Sequence, residues 1–300
     1  MPANFAEVWA NRVISNMVTQ NVAPWLDGIP ELDTTVAELG SGEASEMNVI
    51  HIPRSNFNPN VLINNSAYPI ALQAYTDDEV VVALDKYQTE VTTLSDDKII
   101  GASYDVIDKA TLPHVRSINV KKFKKAIHAI APSADTTTTP VVAATGTAVN
   151  GFATLTYEDL VTLKDRLDQD EVSHEGRRLV LSTRHFNDLL RDRKNFGDKL
   201  VNYNTGMPAP MIAGFELYQY SGNPLFTAAG VKKAFGTVKA ATDREASVAF
   251  WVGGIAKKTG MTKQYFADAK INPRTQANEL NYRHYFIAVP FEAKNVAAIY

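Results

Sequence analysis

Three short stretches of the sequence contain residue types that could build an acyl-transfer site. They are Ser95–Lys98, Ser221–Asn223 and Lys258–Gly260, in the order that penicillin-interacting serine enzymes use. That chemistry needs a lysine that loses its proton at the buried start of an apolar helix, whereas two aspartates separate Ser95 from Lys98 and would keep the lysine charged. Short patterns with free positions also arise by chance in a long chain. We therefore expect no enzyme, and labelling of Ser95 by a fluorescent penicillin would contradict that expectation.

Metal and nucleotide sites are also not supported by the sequence. Asp168, Asp170 and Glu171 resemble a fragment of a calcium-binding loop, but the required glycine and distal glutamate are missing, so a solvated helix end is the preferred interpretation. Gly146–Gly151 lacks the Lys-Ser or Lys-Thr pair that completes a phosphate-binding loop. We predict no metal site and no cofactor, because no histidine pair has zinc-site spacing. The histidines are His51, His114, His128, His174, His185 and His284.

The composition excludes several other classes of function. The chain has 300 residues, with 30 Lys and Arg against 33 Asp and Glu, so its formal net charge of -3 disfavours strong direct binding of DNA. It contains no cysteine, which excludes disulfides and thiolate chemistry and fits assembly in a reducing cytoplasm. No run approaches the ~20 apolar residues of a membrane span, and Glu7 and Asn11 interrupt any secretory signal.

Residues 1–47 are predicted to form an extended arm with one short amphipathic helix. Phe5, Trp9 and Val13 recur at helical spacing, and prolines and a Gly-Ser-Gly stretch follow the helix. The apolar stripe could pack in the core of its own subunit or dock on a neighbouring one, and both interpretations stay open.

Residues 48–95 change to the period of two that is typical of β strands. Apolar residues cluster around Ile50 and again over Val80–Val91, and the connection Ser55–Asp78 is far longer than a hairpin loop. We call residues 48–95 the finger and residues 58–76 the finger tip. Because an isolated two-stranded ribbon is marginal in water, the finger needs support, and a neighbouring subunit is the natural candidate.

A long helix is predicted over residues 95–131. Ser95 is a plausible N-cap with two aspartates in the first turn, Pro113 marks a break or fresh start, and Pro132 stops the run. A lysine cluster near the end is interpreted as a solvated face, with a nucleic-acid contact as the alternative. The apolar positions are Val115, Ile118, Phe123, Ile127 and Ile130, and the lysines are Lys121, Lys122, Lys124 and Lys125.

The second half of the chain reads as mixed helix and strand. Residues 133–154 are rich in Ser, Thr, Ala and Gly and are predicted to form a junction or exposed loop. Thr156 begins a near capping box ahead of a helix with Leu160, Leu163 and Leu167 on one face. The remaining elements are a strand at Leu179–Leu181, a helix capped by Ser182 or Thr183, a loop at Asn202–Pro210, and strands at Ile212–Tyr220, Val248–Val252, Thr262–Phe266, Tyr282–Val289 and Val296–Tyr300.

Six fragments, in this order of elements, carry a likeness to a known family. They are distributed over nearly the whole chain and are packing patterns rather than catalytic signatures. They are Ile50–Arg54, Asp85–Gln88, Ser103–Asp105, Gly176–Leu181 leading to His185, Gly214–Tyr218 and Tyr282–Tyr300. With them the chain resembles the major capsid protein of tailed bacteriophages.

The resemblance implies an α+β tailed-phage capsid fold with four regions. These are an N-terminal arm (1–47), an extended loop formed by the finger (48–95), a peripheral domain with a long spine helix (96–133 and 262–300) and an axial α/β domain (134–261). It implies a structural subunit that assembles as hexamers and pentamers into an icosahedral shell around double-stranded DNA. Assembly would occur in the cytoplasm of a bacterial host, and the finished subunit would lie in the virion capsid.

The implied partners are copies of the chain itself, a portal protein, a scaffolding protein and packaged DNA contacted non-specifically, with no membrane. Because the arm starts almost at residue 1, we expect a separate scaffolding protein rather than a fused one. Some members cross-link a lysine to an asparagine, but no pattern here selects a pair. The expected inter-subunit contacts are Phe5, Trp9, Val13, Asn58, Asn60, Leu62, Tyr68 and Tyr75.

Two alternatives stay open at this point. A tail-tube protein would share a long β finger, but it would not need a long helix ahead of an α/β domain. An acyl-transferring serine enzyme is the other alternative, and it rests on the short patterns around Ser95.

Overall fold

The structure is a computed structural model that describes residues 23–32, 49–55, 59–66, 68–74, 77–95, 105–192, 201–202, 207–208, 211–271, 274 and 277–300. Residues 33–85 form one unit by their internal contacts, and residues 1–32 with 86–300 form a second, which we call the body. The helix predicted within residues 5–18 lies outside the described residues.

The unit of residues 33–85 contains the two predicted strands of the finger. Strand β1 (Val49–Ser55) pairs antiparallel with β2 (Asp77–Ala83), from Val49 opposite Ala83 to Ser55 opposite Asp77. Ser55 and Asp77 are the last paired residues of the two strands, and 21 residues lie between them in the chain. This confirms the predicted long connection.

The return strand predicted to reach Val91 ends earlier, at Ala83. Strands β3 (Asp85–Gln88) and β4 (Thr92–Ser95) follow, and both pair with β15 (Ala277–Pro290). The prediction of Ser95 as a helix cap is therefore wrong. A period of two identifies a strand, but it does not identify the strand's partner.

The long predicted helix is present as α1 (Asp105–Ile130). The break expected at Pro113 is wrong, because the helix continues through this proline. Pro113 is exposed, and packing on both sides of it holds the helix although the ring removes one backbone hydrogen bond. The predicted apolar positions Val115, Ile118, Phe123, Ile127 and Ile130 are all buried, which confirms the helical spacing.

A six-stranded sheet forms the centre of the body. Its strands are paired in the order β5-β16-β13-β6-β10-β9, with parallel pairing for β5 with β16 and β6 with β10. Part of the junction predicted at 133–154 is therefore an edge strand. The strands are β5 (Val141–Val142), β6 (Arg177–Leu181), β9 (Met211–Ile212), β10 (Phe215–Gln219), β13 (Ser247–Trp251) and β16 (Val296–Ile299).

Alternating residues of this sheet face two different cores. Leu179 and Leu181 pack with α2 (Tyr157–Gln169) and α3 (Thr183–Arg191), whereas Val180 packs with Trp25 and the C-terminal half of α1. The capping box of Thr156 and the Ser182 cap of α3 are both present, which confirms the two predicted helix starts.

A second sheet lies against the N-terminal half of α1. Strand β14 (Ile255–Ala267) pairs antiparallel with β15, with an irregularity between Thr259 and Thr262, and Val115 and Ile118 pack on Leu280 and Tyr282. The long helix thus joins the two sheets. The short pairs are β7 (Val201–Asn202) with β8 (Met207–Pro208) and β11 (Leu225–Phe226) with β12 (Arg244–Glu245).

Candidate assembly surfaces

The finger tip presents large apolar side chains to solvent. Val61, Ile63 and Leu72 are 82%, 83% and 103% exposed. Soluble proteins rarely cluster apolar side chains in this way unless another surface covers them. The further exposed apolar residues of the tip are Leu62, Tyr68 and Ile70.

The two sides of the finger tip are connected by a hydrogen bond. The backbone N–H of Asn60 donates to Oε1 of Gln73 at 2.9 Å, thirteen residues along the chain. This bond links the stretch that carries Val61–Ile63 to the stretch that carries Ile70 and Leu72. The exposed apolar side chains therefore belong to one closed loop.

The structure locates only some of the predicted contact residues. Asn60, Leu62 and Tyr68 are exposed on the finger tip, as a contact role requires. Reasoning from sequence missed Val61, Ile63, Ile70 and Leu72. The signal that could have found them is the Val-Leu-Ile run inside an otherwise polar, Asn-rich connection. Phe5, Trp9, Val13, Asn58 and Tyr75 lie outside the described residues.

The lysine cluster of α1 is not a uniform solvated face, because Lys122 is buried. Its Nζ lies 4.8 Å from the ring centroid of Phe123 and 5.1 Å from that of Phe286. Burial lowers the pKa of Lys122 to about 8. The interpretation of a solvated face is therefore wrong for this lysine, whereas Lys121 and Lys124 are exposed as expected. A buried ammonium group is not available to nucleic acid.

His284 faces the same interior region from β15. Its Nδ1 lies 3.0 Å from Oγ1 of Thr262, and its Nε2 has no hydrogen-bond partner in the described part of the chain. Burial, and then the charge of Lys122, lower the pKa of His284 to about 3. The imidazole is therefore neutral, and it has a structural environment rather than the exposed geometry of a catalytic base.

The residues of the serine-enzyme pattern have structural roles in the body. Asn223 donates from Nδ2 to the carbonyl of Val180 at 3.1 Å, and Lys258 donates from Nζ to the carbonyl of Leu32 at 2.7 Å. Ser95 pairs with Ala277 as a strand residue, and Lys98 lies outside the described residues. The bond from Asn223 fixes its loop to strand β6, and the bond from Lys258 holds the segment around Leu32.

Within the described ranges, no cluster of three or more His, Asp and Glu side chains has the geometry to hold a metal ion. No helix in the described part of the chain has both the length and the hydropathy needed to cross a bilayer.

Comparison with known proteins places the chain in a family. The model of a family described as phage capsid protein matches residues 76–299, which is more than half of the chain. This match confirms the resemblance noted in the sequence. Curated protein sequences gave no match.

Several solved structures share the fold at low sequence identity. The capsid structure of cyanophage P-SCSP1u superposes with a TM-score of 0.61 at 14% identity, covering 90% of this chain and 92% of that one. The mature capsid of bacteriophage PhiM1 gives 0.56 at 14% identity, with 90% and 91% covered. A virus-like particle from Pyrococcus furiosus gives 0.55 at 7% identity, with 99% and 100% covered.

Proposed function

The chain belongs to the phage capsid protein family, and on that premise we propose that it assembles as hexamers and pentamers into an icosahedral shell around double-stranded DNA. It is a structural protein of the virion capsid and not an enzyme. Self-association into capsids follows from the family. The ring sizes, the symmetry of the shell and the enclosed DNA are the proposed part.

The observation that carries the proposal is the exposed apolar finger tip. Val61, Ile63 and Leu72 are almost fully exposed on a connection between two strands, where a two-stranded ribbon offers no core of its own. Covering these side chains with a neighbouring subunit would remove apolar surface from water. The tip is therefore proposed to lie over an adjacent subunit, together with the arm around Phe5–Val13.

We propose the same regions for the subunit with two changes, which concern β16 and the boundary at residue 261. The axial domain would be the six-stranded sheet with α2 and α3, and it would include β16, which lies between β5 and β13. The peripheral domain would consist of α1 with β14 and β15. A division at residue 261 would cut β14, so we propose that the boundary lies near Ile255 instead.

The proposed partners are a portal protein, a scaffolding protein and DNA contacted without sequence preference, with assembly in the host cytoplasm. The net charge of -3 supports a weak DNA contact, because a shell protein in many copies must enclose DNA without gripping it. The burial of Lys122 supports the same conclusion, since it removes one cation from the α1 cluster.

A polar finger tip tests the proposal. The variant Val61→Ser/Ile63→Ser/Leu72→Ser should keep the unfolding midpoint of the wild type, because these side chains are exposed. It should form few or no shells by negative-stain microscopy and light scattering. The matched control is Val238→Ser, an 85% exposed valine of the body, which should assemble normally. Normal shells from the triple variant would overturn the role of the tip.

The same microscopy separates the proposal from a tail-tube protein, which would form tubes or stacked rings. Closed shells support the capsid assignment, and tubes without shells contradict it. The family match favours the capsid.

A further inference from the structure

A cavity of about 430 Å³ opens on the body where β6 ends and α3 begins. Arg184, Arg191 and Arg244 line it, and we call it the arginine groove. Asp188, Asp243 and Glu245 also line it, so its walls carry both signs of charge.

The carboxylates of the arginine groove are already engaged within the subunit. Asp188 accepts the backbone N–H of Leu155 at 3.3 Å. Asp243 accepts Nζ of Lys233 at 2.6 Å, and Glu245 accepts Nζ of Lys239 at 2.7 Å. Each of these carboxylates therefore already accepts a hydrogen bond from within its own subunit.

The guanidinium groups are less fully engaged, and Arg184 donates from Nη2 to the carbonyl of Ala153 at 3.0 Å. Among the described residues, no carboxylate forms an ion pair with Arg184 or Arg244, and the two instead stack near the rings of Phe152 and Tyr300, at 4.6 Å and 5.5 Å. Burial lowers the pKa of Arg184, the nearby carboxylate of Asp188 raises it, the charge of Arg244 lowers it, and Glu245 raises it. Two neighbouring guanidinium groups without a direct ion pair keep donors for an anionic group from outside, and guanidinium forks suit carboxylates.

A rigid turn on the same body carries unpaired carboxylates. Residues 170–175, which we call the acidic turn, join α2 to β6 and expose Glu171 and Glu175. Buried Arg177 holds the turn by donating to the carbonyls of Ser173 and Val172, at 2.8 and 2.6 Å. In the described part of the chain no cation pairs with Glu171 or Glu175.

The acidic turn and the arginine groove lie at opposite ends of the same strand. The turn directly precedes β6, and its Glu175 carbonyl accepts Nε1 of Trp251 at the end of β13. The groove residue Arg184 follows the other end of β6, and Arg244 precedes the start of antiparallel β13. A five-residue strand spans roughly 15 Å, so one subunit cannot close this contact on itself.

We propose that the acidic turn of one subunit docks in the arginine groove of the next subunit around a capsomer ring. Glu171 and Glu175 would supply the carboxylates, and Arg184 and Arg244 would receive them. A contact between two different patches of identical chains is head-to-tail, which is the arrangement that closes rings. This inference rests on the proposed assembly and adds the residues that orient it.

A second copy fits the groove better than packaged DNA does. A cavity of this size holds a few side chains rather than a duplex. The protein surface that complements the groove, with free carboxylates on a fixed turn, is present on every copy.

Charge reversal at each end tests the docking. The turn variant is Glu171→Lys/Glu175→Lys and the groove variant is Arg184→Glu/Arg244→Glu. Each alone should lower the fraction of subunits in rings by about tenfold or more, because each opposes like charges. The variant with all four changes should restore rings. The control Glu90→Lys/Glu158→Lys makes the same change of net charge as the turn variant, at exposed positions elsewhere, and should assemble as the wild type does.

Mixing the two variants gives a sharper outcome. In an equal mixture, every contact between unlike variants is complementary and every contact between like variants is repulsive. A six-membered ring can alternate throughout, whereas a five-membered ring must contain one repulsive contact. Native mass spectrometry should therefore find hexamers restored and pentamers still depleted. Equal recovery of both rings would overturn the proposal.

Further outcomes separate the possible failures. If the wild type forms no rings, the proposed assembly itself fails. If the wild type forms rings and the folded turn variant does so equally well, only this inference fails. If the groove variant unfolds at a lower temperature, Arg191→Glu/Lys239→Glu reverses two exposed cations of the groove and should lower assembly in its place. A groove variant that assembles normally but loses binding to a short DNA duplex would assign the groove to nucleic acid.

Discussion

The guanidinium of Arg177 lies 2.6 Å from the carboxylate of Asp168, although only 2% of the Arg177 side chain is exposed. This ion pair connects the first residue of β6 to the last turn of α2 and fixes the acidic turn between them. Lys164 adds a second contact to the same carboxylate at 2.7 Å. The position of the acidic turn thus depends on the ion pair between buried Arg177 and Asp168.

Replacing Asp168 by Ala should destabilise the body by about 2 to 3 kcal/mol, because the Arg177 guanidinium would stay buried without its counter-ion. Two carbonyl acceptors of Arg177 remain, which limits the loss. Urea unfolding measures the difference. Asp165→Ala, an exposed change on the same helix, is the control and should alter stability by less than about 0.5 kcal/mol. Equal effects of the two changes would contradict a role for the ion pair.

Acid should weaken this same contact. Burial raises the pKa of Asp168, but hydrogen bonds and positive charge from Lys164 and Arg177 lower it by more than burial raises it. The pKa therefore lies below its ordinary value of 3.8. A carboxyl group whose pKa is lower in the folded state stabilises the fold fully when the pH is above its unfolded pKa. This stabilisation is lost as the pH falls through the folded pKa. The stability difference between wild type and Asp168→Asn should therefore shrink below about pH 4, as measured by urea unfolding at several pH values.

Replacing Lys122 by Met should stabilise the protein at neutral pH by about 1 to 3 kcal/mol. The side chain keeps its length and loses a charge buried against Phe123 and Phe286. The pKa of Lys122 is about 8 when folded and 10.5 ordinarily, so between these values the unfolded chain binds the extra proton. Wild-type stability should rise over this window relative to the Met variant. Parallel curves for the two proteins would show that Lys122 is not buried as described.

His284 should make the fold sensitive to acid. Its pKa is about 3 in the fold against 6.5 ordinarily, so between these values only the unfolded chain is protonated at this residue. Stability should therefore fall as the pH drops from 6.5 towards 3, by roughly 4 kcal/mol in total for this group. Thermal unfolding across this range should show a smaller decline in His284→Gln. An unchanged decline would assign the acid sensitivity to other groups such as buried His185.

Asp159 should contribute more to stability than its place in a capping box implies. Its carboxylate accepts the hydroxyl of Thr145 at 2.6 Å and the backbone N–H of Thr156 at 2.9 Å. Asp159→Ala should cost about 2 to 4 kcal/mol, because these donors lose their acceptor, whereas Thr156→Ala should cost about 1 kcal/mol. Exposed Glu158→Ala is the control in the same turn, and calorimetry should find it nearly neutral.

Local signals in the sequence were sufficient for several elements. The capping residue Thr156 and the apolar stripe of α1 from Val115 to Ile130 were found because helix starts and helix faces depend on residues within one or two turns. The strand Leu179–Leu181 and its cap at Ser182 were found for the same reason. The sequence also lacked residues at the spacing of a complete catalytic motif, which pointed to a structural protein.

Contacts between distant segments could not be found in this way. The alternation up to Val91 predicted one return strand of the finger, but only the fold shows that residues 85–95 form two strands that pair with β15, about 190 residues later in the chain. The burial of Lys122 and the exposure of Val61, Ile63 and Leu72 likewise depend on which surfaces meet.

By itself, the sequence determined the family likeness, the missing chemistry and the helices and strands whose signals are local. The tertiary structure alone decided that Arg184 and Arg244 share one groove at the far end of β6 from Glu171 and Glu175. The physical reason is that side-chain periodicity records which residues face a core, whereas the partner across a sheet or groove is set by free energy summed over the whole packed chain.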